Sequence, residues 1–233
     1  MVARAPQRVE RGLSEPLTEV RRRYADAVVE AAEAGYEPIR EAFATVPRER
    51  FLGPGPWRIF NIGLSPSDTP DSDPRHVYAN VLVVLDESLK LNNGEPRFWA
   101  SLFDRLRPRP GERVVHIGAG TGYYTAILAE MVGPAGQVIG IEYEPHLAAR
   151  AKTALADRDN VELLTGDAFE LLGAPADVIV ASAGLDTVPL AWIRLLNDGG
   201  RLMIPLTADL PGHARISGDP GKATSAPTAI ATP

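Results

Sequence analysis

Residues 114–125 read VVHIGAGTGYYT: a short apolar run, glycines at positions 118, 120 and 122, then the opening of an amphipathic segment. An apolar run that ends in a glycine turn and continues at helical spacing reads as a buried strand passing into a helix. The chain repeats that alternation from residue 113 onward. RVVHIG (113–118), QVIGIE (137–142), VELLTG (161–166), DVIVASAG (177–184) and RLMIPL (201–206) read as strands. YYTAILAEMV (123–132), PHLAARAKTALA (145–156) and VPLAWIRLL (188–196) read as helices. Short continuous apolar strands alternating with helices are what a parallel sheet covered on both faces requires. The expected architecture is α/β, a doubly wound, mainly parallel sheet, with its ligand crevice at the carboxyl ends of the strands.

Upstream the pattern differs. Val20, Tyr24, Ala27, Val28 and Ala31 recur at helical spacing between Glu15 and Ala34, beside Arg21, Arg22 and Arg23, and Gly35 ends that helix. A second helix is expected over residues 38–45, before the proline- and glycine-rich VPRERFLGPGPW (46–57). Turn formers dominate NIGLSPSDTPDSDPR (61–75), which reads as an exposed, lid-like loop. VYANVLVVLD (77–86) reads as a strand and LKLNNGEP (89–96) as a turn. In that turn Asn92 or Asn93 would cap the helix striped by Trp99, Leu102, Phe103 and Leu106. The expected organisation is a flexible N-terminus (1–14), a helical N-terminal region (15–110), a ligand-binding α/β core (111–207) and a disordered tail (208–233). The tail is small-residue and proline-rich, without periodicity.

The 233 residues, 45% of them hydrophobic, suffice for one substantial core. No apolar run approaches the roughly 18 residues that span a bilayer, and MVARAPQRVERG (1–12) lacks the apolar core of a signal peptide. A soluble, cytoplasmic protein is therefore expected, and the absence of cysteine is compatible with a reducing compartment while removing thiolate chemistry. His76, His116, His146 and His213 show no metal-ligand spacing, so no metal is expected. A net charge of −6 argues against a broad nucleic-acid surface.

The glycine turn admits two ligand classes. A dinucleotide fingerprint needs Gly-x-Gly-x-x-Gly, whereas here the third glycine comes one residue early, giving Gly-x-Gly-x-Gly. Taken singly, the turn is equally a tight strand-to-helix connection and Glu142 a solvated strand end. With Glu142 closing the second strand and Gly166-Asp167-Ala168 following the third, the pattern resembles the Rossmann-like class I S-adenosylmethionine-dependent methyltransferases. The resemblance implies S-adenosyl-L-methionine as cofactor, with Gly118, Ala119, Gly120 and Gly122 against its methionine and ribose part. It implies Glu142 on the two ribose hydroxyls, Asp167 and Ala168 at the adenine amine, and Tyr143 on the adenine face. A carboxylate accepts from two vicinal hydroxyls at once. His116 departs from the pattern, since the family usually carries Glu or Asp there, near the cofactor's ammonium. Three readings of His116 follow: another acid takes over, backbone carbonyls hold the amino end, or His116 is a satisfied core residue.

Three segments narrow the resemblance. EAFATVPRERF (41–51), HIGAGTGYYTAILAEMVG (116–133) and LLNDGGRLMIPL (195–206) resemble the protein-L-isoaspartate O-methyltransferase family over roughly residues 15–207. In the first, Arg48 and Arg50 are either site residues or surface residues beside a loop anchored by Val46 and Phe51. The family's Thr-Ile-Ser-Gln-Pro turn, close to cofactor and isoaspartyl substrate, is here Asn92-Asn93-Gly94-Glu95-Pro96. Asn92, Asn93, Gly94 and Glu95 are thus the substrate-facing candidates, or else a helix-capping turn with an exposed glutamate. Glycine in place of the family serine predicts weak or no isoaspartyl turnover. The family's C-terminal antiparallel hairpin has no evident counterpart in 208–233, so the sheet is expected to be up to two strands short.

The implied activity is O-methylation of a carboxylate on a peptide, protein or small molecule. Such an acceptor, with a reference pKa of about 4, is ionised at neutral pH and needs no general base; no catalytic residue is singled out. The alternatives are methylation of a small-molecule hydroxyl or nitrogen, or a noncatalytic binding protein with the cofactor fold. ASAGLD (181–186) in place of an NPPY-like motif argues against base methylation.

Overall fold

The structure is a computed structural model; it describes residues 15–61, 65–207 and the backbone of 228–231. The N-terminal region holds α1 (Leu17–Ala31), α2 (Pro38–Thr45), a 3-10 turn (Arg48–Phe51), β1 (Arg58–Phe60), β2 (Ser67–Asp68), a second 3-10 turn (Pro74–Val77), β3 (Leu82–Asp86), β4 (Leu91–Asn92) and α3 (Pro96–Leu106). The core follows as β5 (Arg113–Ile117), α4 (Tyr123–Val132), β6 (Gln137–Glu142), α5 (Pro145–Ala154), β7 (Val161–Thr165), α6 (Ala168–Leu171), β8 (Ala176–Ala181), α7 (Leu190–Arg194), β9 (Leu196–Pro205) and β10 (Thr228–Ala231).

The main sheet runs β7-β6-β5-β8-β9-β10, parallel as far as β9. Chain order reverses at β5, whose two neighbours are β6 and β8, which puts the switch point, where open α/β sheets bind their ligands, at the end of β5, as the strand-and-helix alternation predicts. Residues of the inner strands β5, β6 and β8 alternate between two buried faces, which is why those runs are largely apolar rather than amphipathic. Val114, Val138, Val178, Val180 and Met203 pack in the cluster beneath α1 to α4. Val115, Ile117, Ile139, Ile141, Ile179, Leu202 and Ile204 form the cluster on the opposite face.

The helix α4 is buried almost all round rather than along a single stripe. The sheet covers one side of it and α2, α3 and the aromatic residues of α1 cover the other. Tyr24 and Phe43 reach the Tyr123–Tyr124 pair, with Phe43 edge-on to Tyr123. Phe43 and Phe103 are fully buried, and burial of such a side chain contributes about 1.5–3 kcal/mol relative to exposure.

Three expectations are corrected. The segment 61–75 is more than an exposed lid: Ser67 and Asp68 pair with β1, and Thr69 is buried, taking the Trp57 amide and donating to the Asp71 carbonyl. In 77–86 only Leu82–Asp86 is strand, in a small antiparallel sheet ordered β2-β1-β3-β4. Residues 228–231 form β10, antiparallel to β9, because β9 would otherwise present an unpaired edge. The rest of 208–233, with the expected N-terminal flexibility of 1–14, lies outside the described residues. Among the described residues no helix is long and apolar enough to cross a membrane.

Candidate active site

Between β5 and α4 the chain turns through Gly118, Gly120 and Gly122 at φ +74°, +58° and +94°, a region that L side chains rarely adopt. The outer two glycines serve different ends. A Cβ on Gly118 would stand 3.2 Å from Ser182 Cβ, narrowing the crevice between β5 and β8. On Gly122 it would meet Leu155 Cδ1 at 2.8 Å, so that glycine lets α4 settle against the end of α5.

The loop amides turn into the fold. Gly118 and Ala119 both donate to the Ile141 carbonyl, Gly122 donates to the Ala119 carbonyl, and Gly120 donates to Glu142 Oε2 at 2.6 Å. These four amides are therefore not displayed to a pyrophosphate, as a dinucleotide-binding turn would display them.

Glu142 is 6% exposed, and its Oε1 accepts the Glu144 amide at 2.9 Å. Burial pushes its carboxyl above the ordinary glutamate range, opposed by the amides of Glu144 and Gly120. Each oxygen keeps acceptor capacity beyond the amide it holds. Tyr143 follows and is 60% exposed. One strand further out, Asp167 accepts the Phe169 amide at 2.9 Å and caps the short α6, with Ala168 buried behind it. The sequence candidates Gly118, Ala119, Gly120, Glu142, Tyr143, Asp167 and Ala168 thus stand on the ends of β5, β6 and β7, as expected.

His116 is a core residue. It is 1% exposed, with Nδ1 2.9 Å from Thr125 Oγ1, Nε2 3.0 Å from Ser182 Oγ, and its ring edge-on to Trp99. Burial lowers its pKa to about 3, so the imidazole is neutral.

The turn at 92–95 separates into unlike parts. Asn92 is exposed and accepts the Gly94 amide. Asn93 is buried, its Oδ1 accepting from the Val83 amide and from Arg48, so it braces β3 rather than facing a substrate. Neither asparagine caps α3; Glu95 occupies the cap position without a side-chain cap bond, and its carboxylate accepts from Asn80 Nδ2. Gly94 is at φ +76°, and a Cβ there would overlap Trp99 Nε1 and stand 2.9 Å from Trp99 Cδ1. Trp99 fills that space by stacking on Tyr124 at 4.4 Å, and the Tyr124 hydroxyl donates to the Gly94 carbonyl. Arg48 belongs to neither sequence reading: it is fully buried and donates to the carbonyls of Val77, Ala79 and Val81 and to Asn93. Arg50 is a surface residue paired with Asp157 at 2.7 Å.

Comparison with known proteins decides the family. Residues 70–215 match the family model described as protein-L-isoaspartate(D-aspartate) O-methyltransferase. The protein-L-isoaspartate O-methyltransferase 2 of Anaeromyxobacter sp. (strain Fw109-5) is 36% identical over 202 residues, covering 82% of this chain and 71% of that one. The chain belongs to the protein-L-isoaspartate O-methyltransferase family. A solved structure named protein-L-isoaspartate O-methyltransferase aligns with a TM-score of 0.64 at 26% identity, over 80% of this chain and 55% of that one. A structure described as a putative family member from Plasmodium falciparum, in complex with S-adenosyl-L-homocysteine, aligns at the same TM-score with 17% identity, over 81% of this chain and 85% of that one, and supports the fold.

The S-adenosylmethionine implied by the resemblance to class I methyltransferases fits the donor set. A buried carboxylate with acceptor capacity suits a vicinal diol, and the bare Gly118 leaves the crevice open toward β8. Among the described residues no group of three or more His, Asp or Glu side chains is placed to hold a metal. Sequence reasoning missed Ser182, Leu85 and the pair His146–Asp86. Leu85 Cδ1 lies 3.6 Å from where a Gly120 Cβ would be, and His146 Nε2 lies 3.0 Å from Asp86 Oδ2, pinning the end of β3 to the first turn of α5. These residues lie far apart in the chain, and no local signal joins them.

Proposed function

We infer that the protein is an S-adenosylmethionine-dependent O-methyltransferase acting on a carboxylate of a protein or peptide, with the isoaspartyl side chain as its acceptor. The observation that carries this reading is the buried Glu142 carboxylate across from a glycine turn whose amides are satisfied inside the fold. That arrangement suits a neutral ribose rather than a pyrophosphate, and the family match favours a carboxylate over a hydroxyl or nitrogen acceptor.

When bound, the cofactor would supply a sulfonium methyl group for in-line displacement, the acceptor oxygen bonding to the methyl carbon as the carbon–sulfur bond breaks and the neutral thioether departs with that electron pair. The chain's own residues bind and orient. Glu142 accepts from the ribose hydroxyls, Asp167 and Ala168 meet the adenine edge, and Tyr143 covers its face. Gly118 and Gly120 admit the thioether part without a side chain in the way. The acceptor carboxylate is already ionised, so no residue need take its proton, and orientation is the main contribution. Backbone at Gly94, with Asn92 and Glu95 beside it, borders the acceptor.

The test is methyl transfer to an isoaspartyl peptide against its aspartyl twin, read as base-labile methyl ester. Transfer confined to the isoaspartyl peptide is expected, at a low rate because residue 94 supplies no hydroxyl. No transfer, equal transfer to both peptides, or a base-stable methyl product defeats the assignment. A fast rate overturns only the role given to residue 94.

A further inference from the structure

The neutral imidazole of His116 stands where a charged carboxylate would face the cofactor's ammonium group, yet at 1% exposure it does not reach the crevice. Ser182 does. It follows the last residue of the central strand β8, is solvent-exposed, donates its amide to the Ile117 carbonyl, and lies against Gly118 at the crevice wall. Its hydroxyl is 3.0 Å from His116 Nε2, and the other ring nitrogen is 2.9 Å from the buried Thr125 hydroxyl.

We propose that Ser182 is a cofactor-binding residue, its hydroxyl oxygen held in place by His116 Nε2–H and offering its remaining lone pair to the ammonium group of S-adenosylmethionine. The proposal rests on the cofactor reading above. An ammonium has only donors, so its partner must be an oxygen whose own proton points elsewhere. A neutral imidazole has one lone pair and one N–H: the buried Thr125 hydroxyl, whose hydrogen-bond partner is Nδ1, donates there, which leaves Nε2–H to donate to the Ser182 oxygen, while the exposed Ser182 proton turns to solvent. The low pKa of His116, caused by burial, keeps that arrangement intact and keeps a second positive charge away from the ammonium. Thr125, His116 and Ser182 thus form a chain from the core to the crevice, in which an oriented hydroxyl stands in for the carboxylate.

Calorimetry with two probes tests this: S-adenosylhomocysteine, and 5′-methylthioadenosine, which has the same nucleoside and thioether but no amino-acid end. Ser182→Ala is expected to weaken S-adenosylhomocysteine by about 10-fold, as for a hydrogen bond to a charged group, with methylthioadenosine changed less than about 2-fold, and Ser182→Thr is expected to restore binding. Unchanged S-adenosylhomocysteine affinity in Ser182→Ala, or equal loss of both ligands, overturns the inference. If the wild-type protein binds neither probe, the cofactor assignment itself fails and takes this with it. Nitrogen-15 shifts of His116 are expected to show Nε2–H and a bare Nδ1; the opposite tautomer overturns the proton arrangement.

Discussion

The Gly120 amide donates to the Glu142 carboxylate at 2.6 Å, tying the first glycine turn to the end of the neighbouring strand. The bond fixes the carboxylate at the crevice while leaving it capacity for a ligand. It also explains why a group that burial disfavours in its charged form is kept.

Glu142 gives a pH prediction. Its folded pKa is raised above 4.5, so its contribution to stability is full below that value and is lost as pH rises through the folded pKa. Cofactor binding runs the other way, because protonation removes an acceptor: affinity should fall as pH is lowered through the same transition. Glu142→Gln should weaken S-adenosylhomocysteine by at least about 10-fold and flatten that dependence. Calorimetry at a series of pH values from 4.5 upward checks both, and undiminished affinity in the variant would exclude Glu142 from the site.

His116 gives the opposite slope. Its pKa falls from 6.5 to about 3 on folding, so the unfolded chain binds the extra proton and stability declines as pH drops below 6.5. By pH 4.5 the loss from this residue should be about 2–3 kcal/mol. Denaturation of His116→Gln over pH 4.5–7 should show a flatter acid limb than wild type; parallel limbs would contradict a buried neutral imidazole.

Restoring a serine at position 94 should not restore a family-like turn. Gly94→Ser places a Cβ on Trp99, held by stacking on Tyr124, at a positive φ. A loss of about 2–3 kcal/mol is expected, read as a lower denaturation midpoint. A neutral effect would show that Trp99 yields easily.

Removing Arg48 strands three carbonyls and Asn93 in the interior. Arg48→Met should cost about 3–5 kcal/mol. Arg48→Lys should recover little, since a single ammonium lacks the guanidinium's fork of donors. Chemical denaturation of both variants decides this, and full rescue by lysine would show that charge alone matters.

The pattern of the core was legible because strand and helix periods differ and each apolar run is short. α2, α4 and β6 stand where the periodicity places them. The cofactor candidates were legible for a related reason: turn glycines and strand-end carboxylates are local features tied to strand ends. Arg48 and Asn93 were misread because their partners lie about 30 and 10 residues away, and a charged or amide side chain in a loop has no local mark of burial. Thr69 was misread likewise, its polar neighbours concealing a buried hydroxyl.

By itself, then, the sequence determined the alternation of strands and helices, the three strand-end positions Gly118, Glu142 and Asp167, and the departures at residues 94 and 116. Local propensity and hydrophobic period act over a few residues, and those features are local. Only the tertiary structure decided that Trp99 fills the space beside Gly94, that the loop amides close on Ile141 and Glu142, and that His116 is joined to Ser182, 66 residues away. Those outcomes depend on which side chains a parallel sheet brings together across its crossovers, and on burial, which fixes the charge of His116.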